Sequence, residues 1–239
     1  MKRQKFSIGQ VPTGKVPVII EITDGNSLKN VKKMGADATE LRLDLFDYHD
    51  LSRVRKLIEW LKPLLILLTI RSKEEGGGFS GSESDRVRLF AELMPCVDGV
   101  NIELSSNKIL EFVVERAHAY NKPTIVSFHD LEKTTTSKEL DEKFKHAQEV
   151  GADVFKAAVM VNNLSDISQL QAWARGYACK SLITIMSIIG TEQTSKVAQP
   201  SVSIRLELGS VFSYDTRERQ LSRWQMSCRE ASKAVQTFY

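Results

Sequence analysis

Cysteine is scarce: Cys96, Cys179 and Cys228 are the only three in 239 residues, far apart and with no C-x-x-C pair. That usage argues against a disulfide framework or a cysteine-built zinc site and suits reduced thiols in the cytoplasm. Long apolar runs are also missing. None approaches the ~18 residues of a membrane helix. The basic opening Met1-Lys2-Arg3-Gln4-Lys5-Phe6 has no apolar stretch behind it, so neither a membrane span nor a signal peptide is expected. Charge of one sign is not in surplus, since 33 Lys and Arg face 30 Asp and Glu for a net +3, with the basic residues scattered. This argues against nucleic acid, while local cations remain able to hold a small anion. No His/Cys/Asp cluster stands at metal-ligand spacing, so neither a metal nor a cofactor is expected. No linker, repeat or low-complexity tract divides the chain, and its length suits a single domain spanning residues 1–239.

What is present is alternation. Short runs rich in Val, Ile and Leu predict strands over residues 16–22, 38–45, 64–70, 99–104, 123–129, 153–160, 182–187 and 209–214. Amphipathic stretches between and after them predict helices over 26–34, 51–61, 84–94, 107–120, 137–150, 165–176, 192–199 and 218–236. Ser82-x-x-Asp85 and Ser165-Asp166 read as helix starts and Gly151 as a helix stop. A short hairpin fits residues 5–16, before the first core strand. Eight strands alternating with eight helices in ~240 residues is the pattern of a (βα)8 TIM barrel, with a doubly wound open sheet as the alternative. A barrel demands functional residues at the C-terminal ends of strands, and polar residues stand there: Glu40, Arg42, Arg71, Glu103, His129 and Lys156, with Met186-Ser187 closing the seventh.

Lys156 interrupts the run Val154-Phe155-Lys156-Ala157-Ala158-Val159, which otherwise reads as a fully buried strand. Such a lysine can pack its stem and pair its ammonium with an acid. Kept desolvated, its amine instead loses its proton near neutrality and becomes a nucleophile for a ketone. His129 favours the second reading, because it ends the preceding strand 27 residues earlier and can reach the same substrate. An imine makes the ketone an electron sink, and a histidine titrating near the working pH can remove the acidified proton. Asp130 and Glu75 are the candidates to orient the imidazole, and Arg42 and Arg71 suit a carboxylate or hydroxyls. Glu40 and Arg42, two apart on one strand face, also admit a structural ion pair inside the barrel.

These residues together resemble the type I 3-dehydroquinate dehydratases, lyases of the shikimate pathway of aromatic amino acid biosynthesis. The motifs that carry the resemblance are Glu40-Leu41-Arg42-Leu43-Asp44, Thr69-Ile70-Arg71-Ser72 with Glu75-Gly76-Gly77, Val100-Asn101-Ile102-Glu103-Leu104, Ser127-Phe128-His129-Asp130 and Phe155-Lys156. The resemblance implies an imine between Lys156 and the C3 ketone of 3-dehydroquinate. It implies that His129 moves a C2 proton to the departing C1 hydroxyl, with Glu75 beside it. Glu40, Arg42 and Arg71 would bind substrate, and the protein would be a homodimer.

The last quarter departs from that pattern. The family usually carries Gly-x-x-Ser-Arg after the seventh strand. Here Gly190 leads to Lys196, and Arg205 lies just before Gly209-Ser210. A planar fork favours Arg205 as the carboxylate ligand, while spacing favours Lys196. Thr216 and Gln220 match the family's hydroxyl and amide ligands in a shortened lid. Glu21 stands where a small hydroxyl residue is common, and Asn101 where an aspartate is common. Gly76-Gly77-Gly78-Phe79-Ser80-Gly81 formally fits a dinucleotide glycine pattern, but lies too far from its strand and reads better as an active-site loop. His49, His118 and His146 read as solvated, and Trp60, Trp173 and Trp224 as packed against the barrel. Other readings are a class I aldolase barrel and a catalytically weak binding protein of the same fold.

Overall fold

Parallel pairing runs through the sheet without interruption. The computed structural model describes residues 18–23, 31, 37–177, 183–189 and 213–215. Eight strands lie within them: β1 (Val18–Ile22), β2 (Ala38–Arg42), β3 (Leu65–Thr69), β4 (Gly99–Glu103), β5 (Thr124–Asp130), β6 (Val154–Val161), β7 (Ile183–Ile189) and β8 (Ser213–Asp215). Each pairs in parallel with its successor from β1 to β7, and β8 pairs in parallel with β1. Placing the last strand beside the first is the cyclic order of a (βα)8 barrel. Five helices follow β2 to β6 in turn: α1 (Leu51–Leu61), α2 (Glu83–Leu93), α3 (Leu110–Ala119), α4 (Ser137–Glu149) and α5 (Leu164–Tyr177). The expected hairpin over 5–16 and the helices expected at 192–199 and 218–236 lie outside the described residues, as does nearly all of 26–34.

Period-two alternation sorts the strand residues into two environments. One set, including Leu41, Ile66, Leu68, Val100, Ile102, Val126, Phe155, Ala157 and Val159, is buried in a single apolar core with helix residues such as Ile58, Phe90, Val113, Phe144 and Trp173. The other set carries polar groups that are just as buried: Glu21, Glu40, Arg42, Thr69, Asn101, Glu103, Ser127 and Lys156. Register aligns them, with Glu21 beside Glu40, Thr69 between Arg42 and Asn101, and Ser127 between Glu103 and Lys156. His129 lies two residues beyond Ser127 on the same face, closer to the C-terminal mouth. The apolar stripe thus binds the helices, and the polar stripe fills the barrel.

Local signals explain the helix ends. Ser82 and Asp85 form a reciprocal capping box at α2, and Thr136 and Glu139 form another at α4. Gly151 ends α4 with φ +85°, a conformation that glycine adopts without strain. The start of α5 differs from expectation. It begins at Leu164, because Asn163 Oδ1 accepts the Asp166 N–H and the Asp166 carboxylate accepts the N–H groups of Asn162 and Asn163. Strand β2 stops at Arg42 rather than continuing to 45, since residues Leu43–Leu45 form a 3₁₀ turn and Asp44 folds back to Arg42. Trp173 is buried and donates to Asp141, whereas Trp60 on α1 is 47% exposed and Trp224 lies outside the described residues.

Phe90, fully buried where α2 meets the sheet, anchors that helix. Phe90→Ala is expected to cost about 3–5 kcal/mol, read as a lowered denaturation midpoint. A loss below about 1 kcal/mol would contradict the packing described.

Candidate active site

Lys156 is 1% exposed, and its Nζ lies 3.3 Å from Glu40 Oε2. The other Glu40 oxygen accepts from the Thr69 hydroxyl at 2.6 Å and from Asn101 Nδ2 at 3.0 Å, and Arg71 Nη2 stands 3.8 Å from it. Burial alone works against ionisation of Glu40. Lys156, Arg71, the Thr69 hydroxyl and Arg42 outweigh it and hold the carboxyl down at about 2, so it stays charged. For Lys156 the balance falls the other way. Burial disfavours the ammonium, Arg71 repels it, and the attraction of Glu40 and Glu21 does not compensate, so its pKa lies below the lysine value. The result is an amine fixed in place by a permanent carboxylate yet drawn toward its neutral, nucleophilic form.

The second centre lies at the barrel mouth. His129 Nδ1 is 2.7 Å from Glu75 Oε2, with both side chains nearly buried. The Ser105 hydroxyl donates to Glu75 Oε1 at 2.6 Å. Burial, supported by the nearby charge of Glu103, raises Glu75 to about 7 against the pull of the Ser105 hydrogen bond and Arg71. Burial first, then Arg71, Lys156 and Arg42, push His129 well below its ordinary value. Above about 7 the pair is therefore a carboxylate accepting an Nδ1–H, which leaves Nε2 as the basic nitrogen. Asp130, the other candidate orienter, instead caps its own turn by accepting the N–H groups of Glu132 and Lys133.

The arginines divide their duties. Arg42 is committed to Asp44 through Nε at 3.0 Å and Nη2 at 2.8 Å, with Glu21 3.8 Å from Nη1. The alternative of a structural Glu40–Arg42 ion pair is not realised, because the two-residue reach to Asp44 gives a bidentate fork. Arg71 is also buried, but its Nε and Nη2 find no hydrogen-bond partner among the described residues. Buried donors of that kind call for an acceptor, which a ligand carboxylate or hydroxyl would supply. The glycine loop after β3 is tied down rather than open. Gly77 N–H donates to Ser72 O, Gly78 N–H to Asp44 Oδ2 and Phe79 N–H to Arg71 O, while the Phe79 ring is buried against Tyr48. A Cβ on Gly77 would lie 2.2 Å from Arg71 O, so glycine is needed there for close backbone approach and not to cradle a dinucleotide.

Glu40, Arg42, Arg71, Glu75, His129 and Lys156 thus converge, whereas Arg205, Lys196, Thr216 and Gln220 lie outside the described residues. Residues that sequence reasoning left without a role are Asp44, Thr69, Ser105 and Arg86. Arg86 carried a signal, since it shares the i, i+3, i+4, i+7 face of α2 with Leu89, Phe90 and Leu93. Among the described residues, no group of three or more His, Cys, Asp or Glu is arranged to hold a metal ion, and no helix is long and apolar enough to cross a membrane.

Comparison with known proteins meets this geometry directly. The model of the type I 3-dehydroquinase family matches residues 21–239. The 3-dehydroquinate dehydratase of Hydrogenobaculum sp. (strain Y04AAS1) is 32% identical over 225 residues, covering 93% of this chain and 98% of the relative. That of Methanosarcina barkeri is 36% identical over 173 residues, covering 68% and 72%. The crystal structure of the 3-dehydroquinate dehydratase from Aquifex aeolicus superposes with a TM-score of 0.82 at 28% identity, covering 93% of this chain and 99% of that one. The barrel, its polar interior and the match over nearly the whole length lead to one conclusion: this chain belongs to the type I 3-dehydroquinase family.

Proposed function

We propose that this chain dehydrates 3-dehydroquinate to 3-dehydroshikimate, as a hydro-lyase of the shikimate pathway, through an imine on Lys156. The family carries the reaction, and the observation that supports the route is the buried Lys156 amine held against Glu40 with a histidine–carboxylate pair at the same mouth. The neutral amine attacks the C3 ketone, and loss of water gives a protonated imine. His129 Nε2 takes the C2 proton, whose electron pair is drawn toward the imine. The same proton then returns to the C1 hydroxyl as the C1–O bond breaks and water leaves. Hydrolysis of the imine frees the ketone product and restores the lysine.

Glu75 holds the imidazole in the tautomer this needs, and Glu40 keeps Lys156 aligned and favours the iminium charge. Arg71, whose Nε and Nη2 have no hydrogen-bond partner among the described residues, is the substrate ligand best supported by contact geometry, while Arg42 adds charge from its place beside Asp44. The substrate carboxylate falls to Arg205 or Lys196, and further polar contacts to Thr216 and Gln220. A cytoplasmic homodimer is the reading that its sparse cysteines and its family resemblance support.

Borohydride added with 3-dehydroquinate is expected to fix substrate mass on the peptide bearing Lys156 and to fix none in Lys156→Ala, which should be inactive. An unmodified Lys156 in an active preparation would exclude the imine. His129→Ala is expected to keep forming the imine while losing about 10²–10⁴ in turnover, and near-normal dehydration would remove His129 from the mechanism. Because the Glu75–His129 pair takes up a proton below about 7, kcat/KM should fall as pH drops through that region. Glu75→Gln should erase that acidic limb, and a limb that persists unchanged would assign it to another group.

A further inference from the structure

Behind the site lies a buried ion pair that the proposed chemistry does not use. Arg86, on the apolar face of α2, is 1% exposed and is among the largest fully buried side chains. It donates from Nε to the Ile70 carbonyl at 2.7 Å, from Nη1 to Ser106 Oγ at 3.0 Å and to the half-exposed Glu83 Oε1 at 3.2 Å, and from Nη2 to Glu103 Oε2. Glu103, equally buried at the end of β4, accepts the Ser72 N–H on Oε1 at 2.8 Å and the Ser106 hydroxyl on Oε2 at 3.1 Å. Ile70 C=O and Ser72 N–H are the peptide groups on either side of Arg71. The pair therefore grips the backbone before and after the residue whose guanidinium faces the site. The same β4 turn supplies Ser105, whose hydroxyl holds Glu75.

We infer that Arg86 and Glu103 form a positioning pair for catalysis, one that fixes Arg71 through its two flanking peptides and Glu75 through the adjoining β4 turn. Neither touches substrate in this scheme, and both act through the groups they hold. A pair serving stability alone has no need to end on these two peptide groups, and hydrophobic residues of equal volume stabilise as well or better. The pair also contributes charge. Around Glu75 stand Glu103 from β4, Arg71 after β3, His129 from β5 and the Ser105 hydroxyl, and among them Glu103 is the anion.

This inference rests on the reading of Arg71, Glu75 and His129 as the working groups, and its first test needs no turnover. In the full-length protein, NMR of the His129 imidazole reports the proton shared with Glu75. Glu103→Gln removes the nearby anion while keeping an acceptor for Ser72 N–H, and is expected to move that titration midpoint to lower pH. An unchanged midpoint would overturn the electrostatic half of the inference, whether or not the Lys156 imine is upheld, and the hold on Arg71 and Glu75 is read from the double variant. Because Glu103→Gln leaves Arg86 charged and buried, Arg86→Met combined with Glu103→Gln restores neutrality and guards against simple unfolding. This double variant is expected to fold, with KM raised and kcat/KM reduced about a hundredfold, as for a displacement of about 1 Å at a reacting group. A folded double variant within about twofold of the parent kcat/KM would also overturn the inference.

Discussion

Everything in this barrel is arranged around an amine that burial strips of water. A lone ammonium in such a place would be prohibitive, and a lone carboxylate no less so. The two are tolerable because each Glu40 oxygen is occupied, one by Thr69 and Asn101 and the other by Lys156, while Arg71 stands close by. Charge nearly balances across the neighbourhood. Lys156, Arg42 and Arg71 face Glu40 and Asp44, with Glu21 as a third carboxyl that burial first, and then Glu40, push toward its neutral form. Local neutrality lets the lysine shed its proton, form an iminium and be restored without a large swing in field at each step.

The site separates the fates of two glutamates. Glu40, surrounded by cations and donors, is held at about 2, whereas Glu75, also buried but with less to offset that burial and facing Glu103, rises to about 7. One is a permanent counter-charge and the other takes up a proton near 7 beside the imidazole. Such divergence between carboxyls of one pocket is how a fold supports electrostatic stabilisation and proton transfer together. It is also why strand position matters: Glu40 sits deep in β2, while Glu75 lies in the 3₁₀ turn after β3, at the mouth.

Much of this was legible in the sequence because alternation is a physical signal. A polar residue every second position in otherwise apolar strands has one place to go in a closed parallel sheet whose outer face is covered by helices, and Glu40, Arg42, Asn101, Glu103 and Lys156 all went there. The convergence of Glu75 on His129 depends instead on how a glycine loop folds across 54 residues of separation, which no local pattern encodes. Strand spacing left Arg42 open to substrate or to a structural pairing with Glu40, but a turn brought Asp44 within reach of its planar fork. Arg86 was passed over although its helix spacing puts it on the apolar face of α2, and no pattern tells which carbonyl and carboxylate meet it.

The central claim is that burial outweighs Glu40 at Lys156, and it is open to direct measurement. With lysine labelled at its ε position, NMR titration of the free protein assigns the Lys156 amine by its loss in Lys156→Ala. The account predicts a midpoint below the ordinary lysine value of 10.5. A midpoint at or above that value would mean that the ion pair wins, leaving a charged structural lysine where a nucleophile is required.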